Sequence, residues 1–224
     1  MAYLLCIDTA QGTASVCLAK DEKIIGSLSN NEQKDHASWL HQAIDSLAAQ
    51  QNLSLHSIDA IAVSNGPGSY TGLRVGLSAA KGLCYALNIP LITISTLKMM
   101  AGAINDQTNG LLCPLIDARR MEVYTAVYTK DLNEVLPPAA MIIDENSFVT
   151  FLSNEILIFT GSGTGKLKKI IHHPNAQFVE TVFSAENLVP LAIQEFQAGH
   201  FADLAYAEPF YIKEFYSPPR KPLI

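Results

Sequence analysis

The sequence predicts an α/β fold of two related lobes, each built on a mixed sheet, and three observations carry that expectation. The short apolar run Ala60-Ile-Ala-Val63 is followed by the glycine turn Gly66-Pro67-Gly68 and then by a helical pattern over 71–87, the makings of a parallel crossover. The opening Leu4-Leu-Cys-Ile-Asp8-Thr-Ala10 has an echo in Leu111-Leu-Cys-Pro-Leu-Ile-Asp117-Ala118. Each copy leads into an alternating strand, 14–19 and 122–128, and then into a Lys-Asp turn, Lys20-Asp21 and Lys130-Asp131. The repeated order divides the chain into a lobe at 1–106 and a smaller one at 107–224.

In chain order, residues 3–7 form a continuous apolar strand ending in Asp8-Thr9. Gln11-Gly12-Thr13 turns into the strand 14–19, and Lys20-Asp21-Glu22 turns into a third strand over 23–28. A helix follows over 35–51, with Leu40, Ile44 and Leu47 inward and Asp35 as its cap. The strand 60–64, the helix 71–87 with Ser69 or Thr71 as cap, and the strand 91–94 complete the first sheet. Beyond the echo, the pattern predicts a helix over 145–152, a strand over 156–159, the glycine loop 161–166 and an amphipathic helix over 185–197. A short strand at 209–213 and a mobile tail over 217–221 close the chain.

The helix over 71–87 is unusual. Leu73, Leu77, Ala80, Leu83, Cys84 and Leu87 recur at core spacing, while Gly72, Gly76, Ala80 and Cys84 form a row of small residues four apart. Two interior glycines cost a helix about 1 kcal/mol each relative to alanine, so the row calls for a close approach by another backbone. That neighbour lies either in the same lobe or in another subunit. In the second case the helix is an association surface, with Arg74 and Lys81, seven apart on another face, tuning partner choice.

At 224 residues with 49% hydrophobic content the chain can bury a proper core, and its net charge of −6 argues against broad nucleic-acid binding by this chain alone. Cys6, Cys17, Cys84 and Cys113 sit singly in apolar stretches, the pattern of reduced, buried thiols. The first residues lack a basic leader and Asp8 breaks the first apolar run, so a cytoplasmic protein with no membrane contact is expected.

Few residues offer chemistry. Asp8 and Asp117, one per lobe at strand ends, would face a shared cleft if the lobes are related, where paired acids could hold a metal and a phosphate; the bland reading is that each carboxylate caps its own turn. Gly161-Ser-Gly163-Thr-Gly165-Lys166 fails as a P-loop, since Thr160 and Leu167 stand where Gly and Ser or Thr are needed, but its turn can offer amides to an anion. The histidines do not pair at metal-ligand spacing on a helix, and no serine or cysteine stands in a nucleophile elbow.

Ile7-Asp8-Thr9, the run Gly66-Pro-Gly-Ser-Tyr-Thr-Gly-Leu-Arg-Val-Gly76 and Ile94-Ser-Thr-Leu97 together resemble the bacterial TsaB (YeaZ) family of tRNA threonylcarbamoyladenosine biosynthesis proteins, with Asp117-Ala-Arg119 and Pro209-Phe-Tyr211 also resembling family positions. The resemblance implies an actin-like ATPase fold (ASKHA, RNase H-like). It also implies a non-catalytic activator of a TsaD-type paralogue, working with a TsaE-type ATPase and ATP on a tRNA adenosine and reaching tRNA only through the complex. The paralogue carries a His-Leu-Glu-Gly-His type metal motif where this chain reads Ser95-Thr-Leu-Lys-Met99. No tightly bound cofactor is expected, ATP or ADP entering with the assembled complex. Asp8, Thr9, Gly161 and Gly163 are the candidate nucleotide residues, and Gly72, Arg74, Gly76, Ala80, Lys81 and Cys84 the candidate interface, used for a homodimer when the chain is alone. The competing reading is a stand-alone ATP-dependent enzyme or metallopeptidase of the same fold.

Overall fold

The computed structural model describes residues 1–31, 36–105 and 109–213; the Asp35 cap, the 106/107 boundary and the tail at 217–221 lie outside them. The first sheet is built from β1 (Tyr3–Asp8), β2 (Ala14–Lys20), β3 (Lys23–Asn30), β4 (Ala60–Ser64) and β5 (Leu91–Ile94), in the order β3-β2-β1-β4-β5. β1 pairs antiparallel with β2 and parallel with β4, which makes it central and explains why five of its six residues are buried. The second sheet repeats the plan with β6 (Leu111–Asp117), β7 (Glu122–Tyr128), β8 (Glu134–Ile142), β9 (Leu157–Thr160) and β10 (Ala176–Val179), in the order β8-β7-β6-β9-β10. Here β6 takes the place of β1, antiparallel to β7 and parallel to β9. The internal echo is therefore a structural repeat.

Helices α1 (His36–Gln50) and α2 (Tyr70–Leu87) cover one face of the first sheet, joining Leu40, Ile44 and Leu47 to Leu5, Ile7, Ile61, Val63 and Leu77 in one core. Its other face meets α3 (Thr96–Gly102) and residues of the second sheet, so that Leu4, Cys6 and Ile92 share a core with Leu112, Ala126, Tyr128 and Ile158. The two lobes are joined through apolar packing. α4 (Val149–Leu152) and α5 (Thr164–Leu167) flank the far side of the second sheet, where Leu152 and Leu167 enter a third core with Phe148 and Phe159.

Three of the predicted elements take a different form. The helix predicted over 145–152 shortens to α4, because the Asp144 carboxylate accepts from the Asn146 amide and the Ser147 hydroxyl, a local turn that competes with helix. The helix predicted over 185–197 begins as a 3₁₀ turn, Ala185–Leu188, and restarts as α6 (Val189–Ala198) around Pro190, which suits a first helical turn. Residues 209–213 form no strand; the Phe210 amide donates to Asn65 at 2.6 Å and the chain then turns to side-chain contacts. The segment after Ser184 crosses back to the first sheet: α6 packs on β1 and β5, and Ala202 bridges to Leu91.

Candidate functional site: the interlobe cleft and three faces of one helix

In each lobe the central strand ends at a loop against which a glycine turn closes. Added Cβ atoms on Gly68 and Gly72 would overlap the backbone of Ala10 and Thr9, and one on Gly161 would overlap the carbonyl of Leu115. Gly161 also holds φ at 98°, a left-handed value that glycine tolerates. The glycine turns are thus close-packing devices at equivalent places, and between them opens a cleft of about 970 Å³ lined by residues 10–12, 68–72 and 116–119 with Tyr124 and Ser162.

Three of the four candidate nucleotide residues make their hydrogen bonds within the protein. Asp8 is 1% exposed, and its Oδ1 accepts from the Ser64 hydroxyl at 2.5 Å and the Ala10 amide at 3.0 Å. Thr9 is fully buried and donates to the Gly72 carbonyl at 2.7 Å. The Gly163 amide donates to the Leu115 carbonyl at 3.0 Å, and the Gly161 carbonyl accepts from Thr164. The groups of Asp8, Thr9 and Gly163 are spent on the protein itself, while Gly161 lines a pocket with Gln11, Gly12 and Thr164.

Asp117 does reach the cleft, but Asp8 does not join it there. Its Oδ1 accepts from Lys166 Nζ at 2.6 Å and from the Arg119 amide at 2.7 Å, the turn-capping role. Burial works to raise its pKa, yet the Lys166 ammonium and the Arg119 amide outweigh it and hold the carboxyl below its ordinary value. The segment 95–99 starts α3: Ser95 caps the helix, while Thr96, Leu97 and Met99 are fully buried against the Gly66-Pro67 turn and the interlobe core. Among the described residues no group of three or more His, Cys, Asp or Glu could hold a metal ion.

α2 presents three faces, and the residues of the predicted interface divide between two of them. Gly72, Gly76, Ala80 and Cys84 are buried in their own lobe, the glycines against Thr9, so the close approach that the row called for is internal. A second face is covered by the returning C-terminal segment. Lys81 Nζ donates to the carbonyls of Ala205 and Ala207 at 3.3 and 3.0 Å, and Arg74 Nε donates to the Tyr211 hydroxyl at 3.0 Å. The Arg74 guanidinium also lies 4.1 Å from the centre of the Tyr70 ring, which meets the Tyr211 ring at a tilt of 32° with centres 5.1 Å apart. Arg74 and Lys81 therefore hold this chain's own segment. The third face, which the periodicity did not single out, is open: Val75, Ser78, Ala79, Gly82 and Leu83 line an apolar groove of about 440 Å³ with Ala37, Leu40 and His41 of α1.

The family model described as "TsaD: tRNA N6-adenosine threonylcarbamoyltransferase" matches residues 23–209. The chain is 31% identical over 228 residues to the tRNA threonylcarbamoyladenosine biosynthesis protein TsaB of Escherichia coli, covering 94% of each, and 30% identical over 171 residues to the protein of that name from Bacillus subtilis, covering 75% of this chain and 74% of that one. The solved structure described as "YeaZ from Pseudomonas aeruginosa" superposes with a TM-score of 0.83 at 26% identity, over 94% of this chain and 100% of that one. The fold is the actin-like one, and the chain belongs to the TsaB (YeaZ) family of tRNA threonylcarbamoyladenosine biosynthesis proteins.

Proposed function

We propose that this chain is a non-catalytic subunit that binds a TsaD-type paralogue in the cytoplasm and, with a TsaE-type ATPase and ATP, supports transfer of a threonylcarbamoyl group from its adenylate to the N6 amine of a tRNA adenosine. The observation that carries the reading is the packing of Ser95-Thr-Leu-Lys-Met99: where the paralogue has a metal motif, this chain has a capped helix start with Thr96, Leu97 and Met99 in the core. The spent hydrogen bonds of Asp8, Thr9 and Gly163 support it too.

The docking surface is the α1/α2 groove. The TsaD model matches this chain from residue 23 onward, through both helices, so the paralogue offers a related helix pair and can seat it in the groove as a second copy of this chain would in a two-fold homodimer. tRNA and ATP or ADP then belong to the assembled complex. The test is threonylcarbamoyl transfer to unmodified tRNA by the purified paralogue and TsaE-type ATPase, with and without this chain. Transfer that requires the chain supports the proposal; transfer by this chain alone returns the stand-alone enzyme.

A further inference from the structure

We propose that the arginine-bearing rim of the interlobe cleft is the surface through which this subunit touches RNA. The inference rests on the reading above, in which the assembled complex acts on a tRNA. The chain has 21 acidic residues and only four arginines, Arg74, Arg119, Arg120 and Arg220. The first three gather at this rim, and the fourth lies outside the described residues. Arg74 stands against Tyr70 and Tyr211, Arg119 lines the cleft beside Tyr124, and Arg120 is exposed on the same turn. Phe210 and Tyr211, 43% and 37% exposed, complete the aromatic side.

The rim is basic although the protein is acidic, because its carboxylates are matched. Asp117 is paired with Lys166 and Glu122 with Lys213, which leaves the Arg119 and Arg120 guanidiniums without a carboxylate partner among the described residues. Guanidiniums grip phosphates in a bidentate way and aromatic faces stack on unpaired bases, so rings interleaved with arginines fit a single-stranded or loop segment of RNA. The backbone adds a second argument. Arg119 and Arg120 both hold left-handed φ, 70° and 47°, in the loop between β6 and β7, a conformation that residues other than glycine, asparagine and aspartate seldom adopt. Two arginines stand where the turn itself favours smaller residues, and strain of that kind is kept where the side chains are used.

The same strain supplies a clean test, the double variant Arg119→Gly, Arg120→Gly in the complex with the TsaD-type paralogue. Glycine suits both φ values, so the variant should melt at or above the parent and form the complex with unchanged stoichiometry. Affinity for unmodified tRNA should fall about tenfold, and the slope of log affinity against log salt should flatten by about one to two. Arg119→Lys, Arg120→Lys should restore the salt slope without the full affinity. Unchanged affinity and salt slope in the assembled complex overturn the proposal. So does weakened binding to the paralogue with RNA affinity unaltered, which assigns the rim to a protein partner. A parent chain that neither binds the paralogue nor stimulates transfer overturns the underlying reading and this proposal with it, an outcome visible before any substitution is made.

Discussion

Thr9 donates its hydroxyl to the carbonyl oxygen of Gly72 at 2.7 Å, tying the loop after the central strand to the first turn of α2. That approach explains the glycines. A Cβ on Gly72 would overlap the Thr9 carbonyl, and one on Gly76 would overlap the Thr9 hydroxyl, whereas one on Gly82 would meet nothing within 4 Å. Gly72→Ala and Gly76→Ala are therefore expected to destabilise the fold by about 2–3 kcal/mol. Gly82→Ala should stabilise it by about 0.5–1 kcal/mol, the helix-propensity gain alone. Urea unfolding of the three variants checks this, and equal effects at Gly76 and Gly82 would refute the packing argument.

The four cysteines give an independent probe of the cores. All are buried; desolvation pushes the Cys6 thiol up, and those of Cys17, Cys84 and Cys113 up to about 12. Since the thiolate is the reactive form, a disulfide reagent near pH 8 should react very slowly with the native protein and take up four equivalents after unfolding. Fast reaction of one thiol in the folded protein would contradict its placement.

The two-lobed plan was legible because it is written twice: strand, Asp, strand and Lys-Asp turn recur in the same order, and the second sheet repeats the first. β8 and β10 were not, because both are edge strands. β8 carries Pro137-Pro138, which an edge tolerates, and β10 is four residues with little burial. The repeat itself held the missing signal, since a strand after Lys130-Asp131 is the counterpart of β3 after Lys20-Asp21. The site was harder to read. Helical spacing identifies a row of small residues but not what covers it, and the cover at Thr9 lies 63 residues away in the chain. Arg74 and Lys81 likewise meet partners 137 and 126 residues away, in a C-terminal segment with no periodic signature.

The Asp117–Lys166 pair at the cleft has a pH signature. The folded-state pKa of Asp117 is lowered from 3.8, so the stability it contributes is present above that value and is lost as pH falls through the lower folded value. The Asp117 side chain is 41% exposed, and solvent screening keeps the pair's contribution below about 1 kcal/mol. Lys166→Met should cost a few tenths of a kcal/mol at neutral pH, by roughly the screened-pair scale, and the gap from the parent should close in acid. Carboxyl NMR should show the Asp117 titration moving up in the variant. No movement would mean that the ammonium does not govern this carboxylate.

The last prediction concerns association, and the three faces of α2 make it specific. Ala80 is fully buried, so Ala80→Arg is expected to unfold the first lobe and says nothing about partners. Arg74→Ala and Lys81→Ala should loosen the segment 203–213, because the tyrosine pair and the two carbonyl contacts lose their anchors, while the α1/α2 groove stays as it is. Ser78 is exposed in the groove between Val75 and Gly82. Ser78→Arg places a long charged side chain where an apolar partner helix would lie, and desolvating it there without a counter-charge is unfavourable. The variant should keep the parent's circular dichroism and melting temperature, sediment as a monomer and lose at least tenfold in affinity for the TsaD-type paralogue, on the scale of a desolvated interface charge. Sedimentation and titration calorimetry measure both. Full affinity in Ser78→Arg, with loss of binding in Arg74→Ala or Lys81→Ala, would move the docking surface from the groove to the face that the C-terminal segment now covers.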